Sequence, residues 1–276
     1  MKKRSRSIAL ILAVILATAM VALPASANDQ SALETMPIYV NGLLEGRSYL
    51  YNGHTYTTAD NMAMIYGIEG EGWYDYDTGD AEYTADGLTL TYHNGDPYCV
   101  ANGRYLYMPE GILEVSGVAF YPISVLSKVF GDTVSWNEER HSVDLDTTAQ
   151  QLIENGDSYY GRINRELLAR IIQAEAGNQP FEGMVGVGNV VMNRVYSERF
   201  PNNVYDVVYQ SGQFDPVYNG SINNVPSDDA VLASYLCLEG MNTVGDALFF
   251  QNPSASSVIF TGLSYITTIG DHVFYR

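Results

Sequence analysis

The sequence predicts an α+β chain: a β-rich, internally repeated domain followed by a mainly helical domain with a small β element. Three observations carry that expectation. Residues 36–146 alternate apolar and polar side chains in short runs broken by Asn-Gly and Asp-Gly pairs. A segment of 19 residues within that stretch recurs at an offset of 64. From Asn164 onward apolar residues recur three and four apart instead of two apart.

The chain opens with Lys2, Lys3, Arg4 and Arg6, then an apolar run from Ile8 to Leu23, then Ala25-Ser26-Ala27. Basic, apolar and small-residue regions in that order read as a secretory signal peptide over 1–27, so the mature chain is expected to start near Asn28 and to be exported. The apolar run falls short of the ~20 residues a membrane-spanning helix needs; the alternative is an uncleaved anchor. Removing 1–27 takes four basic groups and no acidic ones, moving the net charge from −18 to −22 and leaving Lys128 as the sole lysine. Nucleic-acid binding, which relies on Lys and Arg at phosphates, is disfavoured, as are mechanisms built on a lysine nucleophile. A polymer partner would be held through aromatic and amide groups, and the chain has 22 tyrosines, most of them expected in strands and the core.

Cys99 and Cys237 fall in different predicted domains and are expected to be unpaired. His54, His93, His141 and His272 are scattered, with no His-Glu-x-x-His and no Cys-x-x-Cys, so no metal and no cofactor is expected; a cation held by carboxylates alone stays open.

In the β-rich domain (36–146), turn signals stand at Asn41-Gly42, Asn52-Gly53, Asp86-Gly87 and Asn94-Gly95. The repeat aligns YLYNGHTYTTADNMAMIYG (49–67) with LEVSGVAFYPISVLSKVFG (113–131), matching Gly53 to Gly117, Tyr56 to Phe120 and Gly67 to Gly131. Each copy reads as a hairpin followed by a short helix, with Trp73 or Trp136 a few residues beyond. Two such copies resemble the copper amine oxidase N-terminal-like domain, a wall-associated module of exported bacterial proteins. The resemblance implies no copper here, and it leaves two roles open: a spacer that projects the second domain, or a module that grips glycan. The first copy departs from the second in carrying Thr57-Thr58 where the second has Tyr121-Pro122.

Residues 147–162 break the β rhythm and are expected to form the linker to a second domain at 163–276. Asn164 is the expected N-cap of a helix ending near Gly177, with Ile163, Leu167, Leu168, Ile171 and Ile172 on one apolar stripe. Glu175 lies three after Ile172 and four after Ile171, where the pattern would otherwise place an apolar residue. A carboxylate there is either paired or poorly solvated, and poor solvation raises its pKa; the alternative is that it ends the helix and faces water, with Gly177 as cap. A second helix is expected over 181–195, where Gly183, Gly186 and Gly188 would cost propensity and permit close packing. A third is expected from Ser227 to Gly240, and short strands at 247–250 and 258–260.

The segments 166–195 (ELLARIIQAEAGNQPFEGMVGVGNVVMNRV), 199–217 (RFPNNVYDVVYQSGQFDPV), 247–253 (ALFFQNP) and 269–276 (IGDHVFYR) resemble, in order and spacing, the catalytic domain of the SleB-type cell wall hydrolases, the spore cortex-lytic enzyme family. With the helices above, this part is expected to be a lysozyme-like domain. The resemblance implies a secreted enzyme of the cell wall or spore envelope that cleaves peptidoglycan glycan strands, with Glu175, the glutamate of the Ala-Glu-Ala element, as catalytic acid. A single essential carboxylate implies lytic transglycosylation of the N-acetylmuramic acid to N-acetylglucosamine bond. Hydrolysis would need a second carboxylate, for which Asp215 is the candidate. Gln213 and Asn252 carry amides suited to acetamido groups; Phe214, Phe249 and Phe250 are candidates for the groove wall or the core. His272 would either tune Glu175 or be structural, and Tyr205 and Tyr209, four apart, would share a helix face. Spore germination and vegetative wall remodelling both stay open as settings. A Cys237–His272 peptidase is disfavoured because Cys237 sits inside an apolar run, and no Gly-x-Ser-x-Gly supports a serine hydrolase. The non-enzymatic rival is a wall-binding protein with an inactive second domain.

Overall fold

A computed structural model describes residues 34–115, 117–147, 151–254 and 262–276; the expected signal peptide and the strand expected at 258–260 lie outside the described residues. The N-terminal half is β-rich. Its first sheet contains β1 (Glu34–Val40), β2 (Leu43–Tyr51), β3 (His54–Thr57), β9 (Leu113–Val115), β10 (Val118–Pro122), β11 (Thr133–Asn137) and β12 (Ser142–Asp146). The order is β11-β12-β1-β2-β3-β10-β9, antiparallel except for the parallel β1–β12 pair. A second sheet is a meander of β4 (Gly70–Tyr74), β5 (Ala81–Ala85), β6 (Leu88–Tyr92), β7 (Tyr98–Ala101) and β8 (Arg104–Tyr107). Helices α1 (Ala59–Ile65) and α2 (Ile123–Phe130) pack with the inward residues of both sheets in one core that includes Ile38, Met62, Leu90, Leu106, Leu126 and Phe130.

The repeat is visible in space. β3 and α1 lie at the same offset from β10 and α2 as the sequence copies do, and the turn residues Gly53 and Gly117 share a left-handed φ near 80°. β3 pairs antiparallel with β10, and Thr57 stands opposite Tyr121, its own counterpart in the repeat. Equivalent residues meeting face to face in antiparallel strands place an approximate twofold axis through that pair. The departure at the second dipeptide has a local reason: the Thr58 hydroxyl caps α1 by accepting from the Asn61 N–H at 3.0 Å, whereas Pro122 precedes α2 with no side-chain cap.

The C-terminal half contains α3 (Gly156–Ile163), α4 (Arg165–Ala176), α5 (Phe181–Tyr196), α6 (Val204–Val208), α7 (Asp215–Asn219), a 3₁₀ turn (Ser221–Asn223) and α8 (Asp228–Leu238). A small sheet of β13 (Phe249–Gln251), β14 (Tyr265–Ile269) and β15 (His272–Tyr275), ordered β13-β15-β14, completes it. Ser227 caps α8 through the Ala230 N–H. Helices α4, α5 and α8 bury Leu168, Ile172, Val187, Val191, Ala233 and Cys237 in a second core. A Cβ added to Gly188 would come within 2.6 Å of Cys237 Sγ and 2.9 Å of Ile172 Cδ1, and one on Gly186 within 2.9 Å of Phe274 and Val244, so α5 lies closer to its neighbours than any larger residue would allow. Cys99 and Cys237 are free thiols, each buried in its own core.

Three local expectations need correction. The segment expected as a linker contains α3, whose Tyr160 is buried and whose N-cap Asn155 accepts from the Asp157 N–H. Asn164 is not a side-chain N-cap: its φ of 60° ends α3, and its side chain makes no capping bond to α4. Ile163 therefore belongs to α3, and the apolar stripe of α4 begins at Leu167. The strand expected at 247–250 is shifted to Phe249–Gln251, with Ala247 and Leu248 buried ahead of it.

Residues 151–163 are bonded to the β-rich half rather than free of it. Ile153 N–H donates to Val129 O at 2.8 Å and Gly156 N–H to Asn102 O at 2.9 Å. Glu239, at the C-terminal end of α8, is only 6% exposed, a poor place for a carboxylate both because of desolvation and because the helix end is partly negative. It is compensated by a two-pronged bond from Arg104 of β8, at 2.6 and 2.7 Å, and by the Tyr160 hydroxyl at 2.9 Å. Tyr105 stacks on Tyr235 of α8 with centroids 4.4 Å apart and rings 5° from parallel. Removing one partner of a buried pair leaves the other charge stranded, so Arg104→Ala is expected to lower stability by about 3 kcal/mol. Urea unfolding of Arg104→Ala, Glu239→Ala and the double variant should show the double losing clearly less than the two singles combined; strict additivity would mean the pair is not coupled.

Candidate active site

Glu175 projects from the last turn of α4, one residue before the fully buried Ala176, and is itself partly buried. Gly177 follows in right-handed geometry, its N–H bonded to Gln173 O, so the helix end closes over Glu175 without a left-handed cap. Burial pushes the Glu175 carboxyl up to about 7; the negative charge of Asp215 pushes in the same direction, and the Arg194 guanidinium pulls it down. Among the described residues no hydrogen bond or ion pair fixes the carboxylate, so desolvation decides its state.

Arg194 lies within the helix expected over 181–195, and the sequence pattern assigns it no role. It is 4% exposed, near the C-terminal end of α5. Its Nε donates to Leu248 O at 2.8 Å, and its Nη1 is buried with no hydrogen-bond partner among the described residues. The guanidinium carbon lies 5.0, 5.1 and 5.5 Å from the ring centres of Phe200, Phe214 and Phe249. Burial brings its pKa down to about 10, partly offset by Glu175, so it remains a cation at neutral pH. The ring faces supply a cation–π environment in place of a carboxylate partner. The signal available in the sequence was a lone arginine inside Val190-Val-Met-Asn-Arg-Val195.

The other candidates separate into two groups. Phe214 is only 2% exposed and sits beneath Arg194 and beside Phe250, with ring centres 6.5 Å apart, so it has no face to offer a sugar: it supports the site from the core. His272 is 5% exposed on β15, 5.2 Å from the Phe250 ring, with Nδ1 buried and unpartnered; burial lowers its pKa, and Asp271 opposes that. It belongs to the wall behind Phe250 and is too buried to hold a ligand directly. Gln213 is exposed just before Phe214 and Asp215, the residue whose charge reaches Glu175. Tyr209 is 41% exposed and packs its ring 4.6 Å from Tyr205 on α6. Asn252 is half-buried after β13, and its amide oxygen already accepts from the Ser254 N–H, leaving its amide N–H groups for another partner. No hydrogen bond among the described residues joins Tyr209, Gln213 or Asn252 to Glu175. Two buried amide oxygens that the pattern did not single out, on Gln210 and Gln251, have no hydrogen-bond partner. Gln179 fastens the α4–α5 turn to the β14–β15 turn, accepting from the Asp271 N–H at 2.8 Å.

Among the described residues, no group of three or more His, Cys, Asp or Glu side chains is arranged to hold a metal ion. A partly buried, proton-retaining carboxyl beside an exposed carboxylate and a caged arginine can donate a proton near neutral pH and take one back once ionised.

Comparison with known proteins matches residues 178–275 to the cell wall hydrolase family and residues 40–145 to the copper amine oxidase N-terminal domain. The chain is 33% identical over 118 residues to a spore cortex-lytic enzyme of Bacillus cereus, covering 42% of this chain and 46% of that one. It is 35% identical over 109 residues to the spore cortex-lytic enzyme of Bacillus subtilis, covering 39% and 36%. The match thus spans less than half of either relative. Among solved structures, the catalytic domain of the germination-specific lytic transglycosylase SleB from Bacillus anthracis aligns at 30% identity and a TM-score of 0.41, covering 45% of this chain and all of that one.

Two neighbours act on Glu175 in opposite senses, which gives a paired expectation for its titration followed by carboxyl-carbon NMR. Asp215→Asn should lower the pKa of Glu175 and Arg194→Met should raise it; shifts of the same sign in both variants would show that charge is not what they contribute.

Proposed function

We propose that this chain, a cell wall hydrolase domain carried behind a copper amine oxidase N-terminal domain, is an exported lytic transglycosylase of peptidoglycan. The observation that carries the reading is the partly buried placement of Glu175 in the last turn of α4, with no hydrogen bond or ion pair to it among the described residues; burial pushes its carboxyl up to about 7. Glu175 gives that proton to the oxygen linking C1 of N-acetylmuramic acid to N-acetylglucosamine. The C1–O bond breaks and the leaving sugar departs with the proton. The Glu175 carboxylate then takes the proton of the muramic C6 hydroxyl as O6 attacks C1, closing a 1,6-anhydro ring. No water is consumed, and Glu175 ends as it began. The positive charge that develops at C1 is met by ionised Glu175, with Asp215 exposed nearby.

A second reading has its own observation. Asp215 lies near enough for its charge to raise the Glu175 carboxyl, and a second carboxylate that activates water would make the enzyme a hydrolytic muramidase. The relatives' names point to spore cortex as the substrate setting, and the wall of growing cells is the alternative. Wall association through the N-terminal half is part of the same proposal.

The experiment is mass analysis of muropeptides released from purified cortex and vegetative wall. Anhydro-muramic ends should form with the natural chain and vanish with Glu175→Gln; reducing ends would indicate hydrolysis, and no release from either wall would leave a binding protein. Cleavage should fall as pH rises through about 7, because the acid must be protonated. Stability carries the same signature. A carboxyl whose folded pKa is raised from 4.5 to about 7 binds more protons folded than unfolded between those values, so stability falls as pH rises through that window. Relative to the natural chain, Glu175→Gln should gain about 3 kcal/mol between pH 4 and pH 8 in urea midpoints; parallel pH profiles would show that Glu175 titrates normally.

A further inference from the structure

The outward face of the β4–β8 meander carries a row of side chains directly across five strands. Trp73 stands opposite Glu82, Glu82 opposite Thr91, Thr91 opposite Val100, and Val100 opposite Tyr105. With strands ~4.8 Å apart, the row runs about 19 Å. Asp80, His93, Asp96 and Tyr98 flank it, and together these residues line a shallow, open depression of about 310 Å³. The opposite parity of the same strands, Tyr83, Leu90, Cys99 and Leu106, is buried in the core, so the N-terminal core does not hold this face, which packs at its Tyr105 end on Tyr235 of α8.

Its chemistry is mixed in a particular way. Trp73 is 49% exposed at one end, and the partly exposed ring of Tyr98 stands at the other, 5.4 Å from Tyr105, whose own ring is covered by Tyr235. Between them the Glu82 carboxylate and the Thr91 hydroxyl make no side-chain hydrogen bond among the described residues, while Asp80 is taken up by His93 at 2.7 Å and by the Asn94 N–H. Aromatic rings spaced along a row with free acceptors between them match a chain of sugar rings, whose C–H faces stack on aromatics and whose hydroxyls donate to carboxylates. Three carboxylates on the face and a chain charge of −18 oppose an anionic polymer. The row also does not end in isolation: Tyr105 stacks on Tyr235 of α8, so the face continues into the half that carries Glu175.

We propose that this face is a glycan-binding groove for an uncharged N-acetylhexosamine chain, separate from the Glu175 site and fixed to it through Tyr105 and Tyr235. The proposal rests on the reading of the chain as a peptidoglycan-cleaving enzyme and names where its N-terminal half grips the sugar backbone of that polymer, at stretches where the muramic carboxyl is neutralised in an amide link. Trp73 and Trp136 are the chain's two tryptophans, so Trp136→Phe leaves Trp73 as sole reporter. In full-length Trp136→Phe with Glu175→Gln, which keeps the polymer intact, N-acetylglucosamine hexamer should change Trp73 emission saturably, and more strongly than glucosamine hexamer does at salt high enough to screen the cationic chain's attraction to the carboxylates. Glu82→Gln should weaken the response, and Trp73→Ala should weaken cosedimentation with purified peptidoglycan, each by roughly tenfold. Unchanged Trp73 emission at saturating N-acetylated sugar would overturn the groove, and a stronger response to the cationic hexamer would overturn its assignment to an uncharged chain. Cleavage by the Glu175-containing chain is assayed separately. Cleavage without a Trp73 response removes the groove alone; a Trp73 response without cleavage removes the enzymatic reading and leaves the groove standing.

Discussion

The close approach of α5 to α4 and α8 is the constraint on which the C-terminal half depends. Gly188 admits Ile172 and Cys237 on one side, and Gly186 admits Phe274 and Val244 on the other. With any side chain at either position the helix would be pushed outward, and overpacking of this kind costs about 1–3 kcal/mol. The consequence reaches the chemistry. Ile172 packs against Gly188 of α5, and Ile171 and Ala176 are buried in the same core, so the last turn of α4 is anchored with Glu175 partly withdrawn from water. The same helix carries Arg194 into its cage of Phe200, Phe214 and Phe249. Packing density and proton affinity are therefore two expressions of one contact.

The site combines two charges that are each unfavourable where they stand. The Glu175 carboxyl responds by keeping its proton, whereas Arg194, with a much higher starting pKa, stays charged and is stabilised by ring faces and one carbonyl. A direct ion pair between them would hold Glu175 ionised and remove the proton it is proposed to give. Keeping the cation near but not bonded sets the carboxyl within reach of neutral pH.

Periodicity made much of this legible. The three long helices of the second half follow from apolar spacing, the three glycines in one helix anticipated its close packing, and Glu175 stood out because it broke an apolar stripe. The offset of 64 anticipated a spatial repeat, although not that its two copies would pair through equivalent residues. What stayed hidden depends on contacts between residues far apart in sequence. Asn164 is of the residue type most tolerant of a left-handed backbone, but its place before an apolar stripe suits an N-cap equally well, and nothing in 151–163 shows that Tyr160 will find Glu239. For Phe214 the sequence leaves groove wall and core both open, and for His272 tuning and structural roles both open; burial by Arg194 and Phe250 puts both behind the surface. Arg194 was overlooked because an arginine near a helix C-terminus ordinarily faces solvent, where it complements the helix dipole.

The self-pairing of Thr57 with Tyr121 bears on ancestry. A single copy of the hairpin and helix ends in a bare strand edge, which in isolation invites another chain. In a one-copy precursor the natural way to cover that edge is a symmetric homodimer, with the residue at this position meeting itself across the axis. Carried on one chain, the two copies cover each other's edge in a contact that does not depend on concentration, and without strict symmetry each side of the seam can hold a different dipeptide, Thr57-Thr58 on one and Tyr121-Pro122 on the other.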